Sequence, residues 1–415
     1  MDPRAPGAPP RRDPPGGDPT PAFSSSLLRG VLRDRDGELR VTNVELFFDL
    51  LYVFAVTQLS HNLVEHLTVR GAVETLVLFL AVWWAWNYTA WATNWIDPGT
   101  LPVRVLLIVL MGLGLVMAAC IPDAFEGRAL GFAGAYVALQ VVRSAFMVAA
   151  LRGQRMGRNY AHLLAWSCMA GILWLSGAGV EGDARLTLWT LALVVDLGAP
   201  MVSFWLPGLG STPQSEWDLR GGHLAERMQL VLLIALGESI LIIGTGFSEL
   251  PAGATTTAAF IVAFLGSVAL WWIYFGRHAE EGAHRVEEAR DDATRLARTA
   301  YAYAHAIMVL GVIVSAVADE EVILHPTGDV ETGVALVVLG GPAIYLAGSA
   351  LFLWSFSERV PASRLLAVVA LALLGLLAPA VNPLTLAIAA VLVLAGLVAA
   401  DALTARRPAS SAAGA

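Results

Sequence analysis

The chain has 415 residues, of which 57% are hydrophobic and only 14% charged, with a mean hydropathy of +0.65 and a formal net charge of −8. This composition excludes an ordinary soluble domain, and the lack of apolar–polar alternation excludes a transmembrane β-barrel. Apolar runs of about 20 residues recur along almost the full length, each long enough to cross a bilayer, so the fold class is an all-α polytopic membrane protein.

Residues 1–40 are rich in Pro, Gly and Arg and lack the apolar core of a cleavable signal peptide, so they read as a disordered cytoplasmic tail. Twelve candidate spans follow, at roughly 44–66, 72–95, 101–121, 129–151, 159–179, 185–206, 223–247, 256–277, 295–318, 332–356, 363–380 and 383–402. The first span opens on Glu45-Leu46-Phe47-Phe48-Asp49-Leu50. A spacing of four residues puts Glu45 and Asp49 on one helix face. Each carboxylate costs roughly 2.5–3.5 kcal/mol at the centre of a membrane, so two retained acids need a partner or a task. Tyr52, Val56 and Ser60 continue their stripe. His61, Glu65 and His66 miss the spacing of a metal-binding helix, and no metal site is expected.

In the second span Trp83, Asn87 and Asn94 share a face, and Trp91 and Trp95 fit an interfacial belt. Arg104, at the start of the third span, and Arg143, inside the fourth, are candidate structural ion-pair partners for the intramembrane acids. Cys120 and Cys168 both lie in apolar runs and suggest no disulfide. Asp196 sits inside the sixth span, just before Gly198-Ala199-Pro200, a kink by expectation. The connection 208–222 joins the two parts of the chain. The seventh span carries His223, Glu226 and Arg227 near its start and Glu238 further in. Arg227 and Glu238 are about 16 Å apart along a helix, so each needs a partner from elsewhere, and Glu45 and Asp49 are the candidates for Arg227. Arg277 to Arg295 alternates Arg and Glu and reads as a solvated helical extension. His305 shares a face with Tyr301 and is a candidate proton relay or a packing histidine. Residues 404–415 read as a second disordered tail.

All 26 basic residues are arginines. Placing the N-terminus inside puts 22 of them on cytoplasmic segments and flanks and three outside, at Arg70, Arg128 and Arg185, a positive-inside bias that also places the C-terminus in the cytoplasm. Internal repetition is expected as well. Leu186-Thr187-Leu188 recurs as Leu384-Thr385-Leu386, Trp83-Trp84 as Trp271-Trp272, and Asp49 is answered by Glu238 at nearly the same offset. The reading is two parallel six-helix halves, 41–207 and 223–403, about an axis along the membrane normal.

The segments Glu45-Leu46-Phe47-Phe48-Asp49-Leu50 and His223-Leu224-Ala225-Glu226-Arg227 with Ala235-Leu236-Gly237-Glu238-Ser239-Ile240 resemble the two signature segments of the bacterial low temperature requirement A (LtrA) family. The tracts Ala118-Ala119-Cys120-Ile121-Pro122-Asp123 and Tyr301-Ala302-Tyr303-Ala304-His305 are similar to that family too. The resemblance covers about residues 40–400. It implies a multi-pass protein of the bacterial cytoplasmic (inner) membrane, and the family name records a growth phenotype rather than a mechanism. A fainter similarity, to six-helix potassium/proton channel units with a Phe-Ser-Asp motif, stops at Phe47-Phe48-Asp49, where the serine is missing.

With no nucleophile elbow and no P-loop, neither an enzyme nor an ATP-driven pump is expected, and no cofactor. The expected function is a secondary transporter or ion permease whose pathway is lined by Glu45, Asp49, Glu226, Arg227, Glu238, His223, Asp196 and His305. The rivals are a passive cation channel and a non-transporting scaffold. The expected partners are the lipid bilayer and a small solute or ion, with no nucleic acid; a homo-oligomer is left open.

Overall fold

The computed structural model describes residues 30–33, 40–213, 217, 220–251, 253–276, 279, 282, 296–357 and 359–405. Most of both expected tails and of the Arg277 to Arg295 extension lies outside the described residues.

Twelve α-helices are described: α1 Asn43–Glu65, α2 Val69–Thr93, α3 Leu101–Ala119, α4 Ala129–Ala150, α5 Arg155–Ala178, α6 Gly182–Gly198, α7 Gly221–Glu249, α8 Ala254–Phe275, α9 His305–Leu324, α10 Thr332–Ser357, α11 Ala362–Leu374 and α12 Pro383–Ala405. A π-helical segment, Ala297–Ala304, leads into α9. Each helix falls on one expected span. Eight of them, α2, α3, α4, α5, α7, α8, α10 and α12, are long and apolar enough to cross a membrane unaided. These helices imply a lipid environment and a multi-pass membrane protein. The other four have visible reasons to fall short. Gln58, His61 and Asn62 join Glu45 and Asp49 in diluting α1, while α9 carries Asp319, Glu320 and Glu321 in its last two turns. The short α6 and α11 have 17 and 13 residues.

Two expectations about boundaries need correction. The sixth span does not run to 206 with a kink at Pro200; it ends at Gly198. Pro200 has no N–H to offer a fourth-residue carbonyl and restricts Ala199 before it. The chain then turns through Ser203 and Phe204, which both adopt positive φ (53° and 48°), and closes a small bridge between Leu206 and Gly210. The eleventh span stops at Leu374 rather than 380, and a 3-10 turn, Ala378–Ala380, follows it. Residues 30–33, which the sequence places within the first tail, lie against the end of α2. Arg33 N–H donates to the Trp95 carbonyl at 3.0 Å, Asp97 N–H donates to the Val31 carbonyl at 2.8 Å, and Val31 is buried.

In the bundle, α1 packs on α2, α3, α7 and α9, and α7 packs on α1, α8 and α9. The α1–α7 seam therefore joins the first six helices to the last six. The repeat landmarks differ in their surroundings. Trp83 and Trp84 are buried, whereas Trp271 and Trp272 are 40% and 52% exposed on the outer face.

Candidate functional site

The site is built from the start of α1 upward. Thr42 caps the helix, and Glu45, three residues on, reaches back: Thr42 N–H and Thr42 Oγ1 both donate to Glu45 Oε2 at 2.9 Å. A capping glutamate normally sits in water. Here Glu45 is fully buried, and the rest of its lone pairs are filled from other elements. Arg33 Nη2 donates to Oε2 at 3.1 Å, while His223 Nε2 lies 2.9 Å and Arg227 Nη1 3.3 Å from Oε1.

One turn further, Asp49 is also fully buried. Its Oδ1 accepts from Arg227 Nη2 at 2.5 Å and from Trp86 Nε1 at 2.8 Å. Arg227 Nη1 also donates to Thr93 Oγ1 at 3.0 Å, and the guanidinium lies 5.6 Å from the centre of the Trp86 ring. The fork of Arg227 thus spans both carboxylates, a geometry that a lysine cannot supply.

The charges of this cluster sum to zero: Arg33 and Arg227 against Glu45 and Asp49. His223 fits as a neutral ring. Asn94 Oδ1 accepts the Arg220 N–H at 2.9 Å, which leaves Asn94 Nδ2 to donate to the Arg220 carbonyl at 3.0 Å and towards His223 Nδ1 at 3.3 Å. With Nδ1 as acceptor, Nε2 carries the proton and donates it to Glu45. A buried set of ions holds together when each charge is matched and its polar atoms are paired, and this set meets the condition except at Asp49 Oδ2 and Arg227 Nε, which are buried without hydrogen-bond partners. Glu226 supports the same end of the bundle by accepting the Val41 N–H at 3.0 Å, which ties the entry of α1 to α7.

Replacing Trp86 by Phe removes one donor from Asp49 and weakens the face beneath Arg227. The expected loss is about 1.5–3 kcal/mol, the scale for a hydrogen bond to a charged group. Thermal melting of the purified variant checks it, and an unchanged melting point would show that Asp49 is held by Arg227 alone.

The other end of the α1–α7 seam is different. Glu238 is 3% exposed, lies beside Thr57 and His61 of α1, and makes no ion pair among the described residues. His61 in turn neighbours Glu320 on α9, which lies near Glu249 and Glu321. Thr57 is eight residues beyond Asp49, about 12 Å along the helix. The polar atoms Tyr52 Oη, Ser60 Oγ and Ser239 Oγ are buried on these helices without hydrogen-bond partners.

The remaining predicted residues fall elsewhere. Asp196 accepts from Tyr136 Oη at 2.8 Å and from Trp174 Nε1 at 3.2 Å, within the α4–α5–α6 group. Arg143 reaches it through a relay: its guanidinium donates to Gln140 Oε1, and Gln140 Nε2 donates to Tyr136 Oη at 2.9 Å. Arg104 donates to the Pro98 carbonyl at 3.2 Å on the exposed start of α3 and meets neither Asp49 nor Asp196. His305 is held at both nitrogens, with Nδ1 donating to the Ala300 carbonyl and Nε2 accepting from Tyr274 Oη, both at 2.8 Å, and its ring packs on Tyr301 and Phe352. Among the described residues no three His, Cys, Asp or Glu side chains group as a metal site. Sequence reasoning missed Arg33, Trp86, Thr93 and Asn94 as members of the cluster. The Thr42-x-x-Glu45 spacing, a capping box that sequence reasoning also missed, is the local signal that could have shown where Glu45 points.

A multi-pass helical membrane protein with a neutral cluster of buried ions across its first and seventh helices is the class that these features define. The family described as Bacterial low temperature requirement A protein (LtrA) matches residues 40–399, and the chain belongs to it. An uncharacterized protein of Rhizobium meliloti (strain 1021) is 37% identical over 334 residues, covering 79% of this chain and 80% of that protein. No solved structure matches.

Proposed function

We propose that the protein is a secondary transporter or ion permease of the bacterial inner membrane, with both termini in the cytoplasm and its pathway along the α1–α7 seam. One observation carries this reading: two helices hold a matched set of ions at one end and an unmatched, buried carboxylate, Glu238, at the other. On this reading the Glu45–Asp49–Arg227 cluster is a closed gate, and Glu238 is the group that takes a proton or a cation. Opening the gate requires the Arg227 fork to let go of at least one acid. A permease with a site between two moving halves needs such a bistable contact.

The two-half architecture is part of the proposal. It is supported by how the helices pair. The contacts α1–α2, α1–α3, α2–α4, α2–α6, α3–α4, α4–α5 and α5–α6 each recur six helices later, as α7–α8, α7–α9, α8–α10, α8–α12, α9–α10, α10–α11 and α11–α12. Under that relation α1 and α7 are equivalent helices meeting at the axis, where parallel-repeat transporters hold their substrates.

Reconstitution tests the reading. Proteoliposomes with an entrapped pH dye are screened with small solutes and monovalent cations. Glu238→Gln is expected to abolish solute-dependent proton flux, and Asp49→Asn to reduce it strongly, with both variants inserted normally. Full flux in both variants would sink the proposal. Flux that neither saturates nor responds to a proton gradient would favour a passive channel. The balanced charges at Arg227, with Glu45 and Asp49 both on its fork, also favour a second reading, a non-transporting scaffold, which predicts that the wild-type protein carries no flux under any condition.

A further inference from the structure

A cavity outside the seam lies between α8, α9, α10 and α12 and encloses about 440 Å³ of empty space, mouth included. No residue of α1 or α7 lines it. Ser315 and Asp319, four residues apart on α9, share the face that does. Glu320, which neighbours His61, projects from a different face of that helix. Ser267 of α8 and Val338 of α10 stand on the other walls, and α12 closes the far side with small residues, Ala387 and Ala390. The α9–α10 contact fixes the levels. Gly311 lies against Tyr345 and Ser315 against Gly341, so one turn further along α9 Asp319 comes level with Val338.

Three groups at this level lack the partners that their chemistry calls for. Asp319 is partly buried, yet it makes neither an ion pair nor a hydrogen bond among the described residues. Ser315 is 8% exposed, and its Oγ is buried without a hydrogen-bond partner. Pro342 stands inside α10, and with no N–H it leaves the Val338 carbonyl without its regular donor four residues on. In membrane helices a neighbouring Ser or Thr can make good such a loss. Ser315 is the hydroxyl on the facing stretch of α9, and it does not. Ser267, 6% exposed, adds a second hydroxyl to the same cavity.

Charge narrows the ligand. Among the described residues Asp319 is the one ionisable group in the lining, and no arginine or histidine stands beside it. A lone carboxylate between apolar helices is costly, and a single positive charge offsets it. An anion would be repelled, and a divalent ion would leave a net charge behind. The available ligands are all oxygen: a carboxylate, two hydroxyls and a carbonyl. Such a set suits a hard cation, and carbonyls freed from interrupted helices hold sodium in transporters. A proton would neutralise Asp319 but would serve only one acceptor, whereas a cation draws on all four groups.

We propose that Asp319, Ser315, Ser267 and the Val338 carbonyl bind one small monovalent cation of the size of sodium. The site does not depend on whether the α1–α7 seam carries flux, because its test reads binding alone.

Equilibrium binding of radioactive sodium to the purified full chain in detergent, with choline chloride holding the ionic strength constant, provides that test. Saturable binding is expected, with one ion per chain dependent on Asp319, displaced by lithium more readily than by calcium. Asp319→Asn should weaken this binding by about tenfold or more, since the ion loses its counter-charge. Ser267→Ala should weaken it by about threefold or more through the loss of one ligand, and it carries the test if Asp319→Asn fails to fold. No saturable binding by the wild type in neutral or alkaline buffer overturns the proposal and leaves Asp319 a protonated packing group. So does wild-type affinity in the folded variants, or displacement by calcium ahead of lithium. Binding that is lost in Glu238→Gln and unchanged in Asp319→Asn would place the ion in the seam and overturn the proposal too.

Discussion

Arg227→Met is expected to destabilise the protein by about 3–5 kcal/mol, the cost of leaving buried charge without its partner. The side-chain volume is nearly kept, so the loss is electrostatic. Without the guanidinium, Glu45 keeps Arg33 and His223, but Asp49 keeps only the Trp86 N–H. The cluster then holds two buried carboxylates, Glu45 and Asp49, against a single arginine, Arg33. The double variant Arg227→Met with Asp49→Leu restores the balance, with Arg33 facing Glu45 alone. Apolar replacement of a whole buried pair is often neutral, so the double variant is expected to recover most of the lost stability. Melting points of the wild type, both single variants and the double in one detergent provide the cycle. A double variant as unstable as Arg227→Met would show that charge balance is not what holds α1 to α7. The same experiment bears on function, because a double variant that folds but carries no flux separates the gate's role from its contribution to stability.

Why some of this was legible in the sequence and some not follows from the distances involved. The helices were legible because a bilayer demands apolar runs of about 20 residues, and such runs are local. That Arg227 would meet Glu45 and Asp49 was also legible, since a stranded cation and two stranded anions in one membrane have few other choices. The rest of the cluster was not. Trp86 looks like any other residue of an aromatic helix face, and Asn94 like a polar residue at a helix end; only the crossing of α2 against α1 and α7 turns them into ligands of Asp49 and His223. Arg33 stood in a stretch whose composition reads as tail, and its docking depends on a bridge between Leu32 and Ile96 that no local pattern announces. Pro200 was visible, but whether it kinks or ends a helix is decided by what packs beyond it. Asp196 and Asp49, alike in the sequence as single intramembrane acids, take opposite solutions: one is held by neutral donors with an arginine at the end of a relay, the other by direct contact with an arginine.

The second large effect concerns two neighbouring glycines in α10. Gly341→Ala is expected to cost about 3 kcal/mol, at the upper end for forcing a methyl group into a packed contact, whereas Gly340→Ala is expected to be neutral or to stabilise by about 0.5–1 kcal/mol through helix propensity. The difference lies in the neighbours. A Cβ on Gly341 would stand 2.6 Å from the Ser315 backbone nitrogen on α9, while one on Gly340 meets nothing within 4 Å. Two other glycines mark the same contact: a Cβ on Gly311 would lie 2.4 Å from the Tyr345 nitrogen, and one on Gly348 would lie 2.8 Å from the Met308 nitrogen. Backbone cannot rotate out of the way as a side chain can, so the only relief is to move the helices apart. That would pull Tyr345 Oη from the Leu270 carbonyl, which it reaches at 2.8 Å, and lift α10 from the Ala304 carbonyl at the end of the π-helical segment. In a membrane, where lipid is as apolar as leucine, close backbone approach of this kind supplies much of the force that joins helices. Melting points of the two alanine variants in the same detergent decide the matter, and equal shifts would mean that α9 and α10 are held by something other than their small-residue faces.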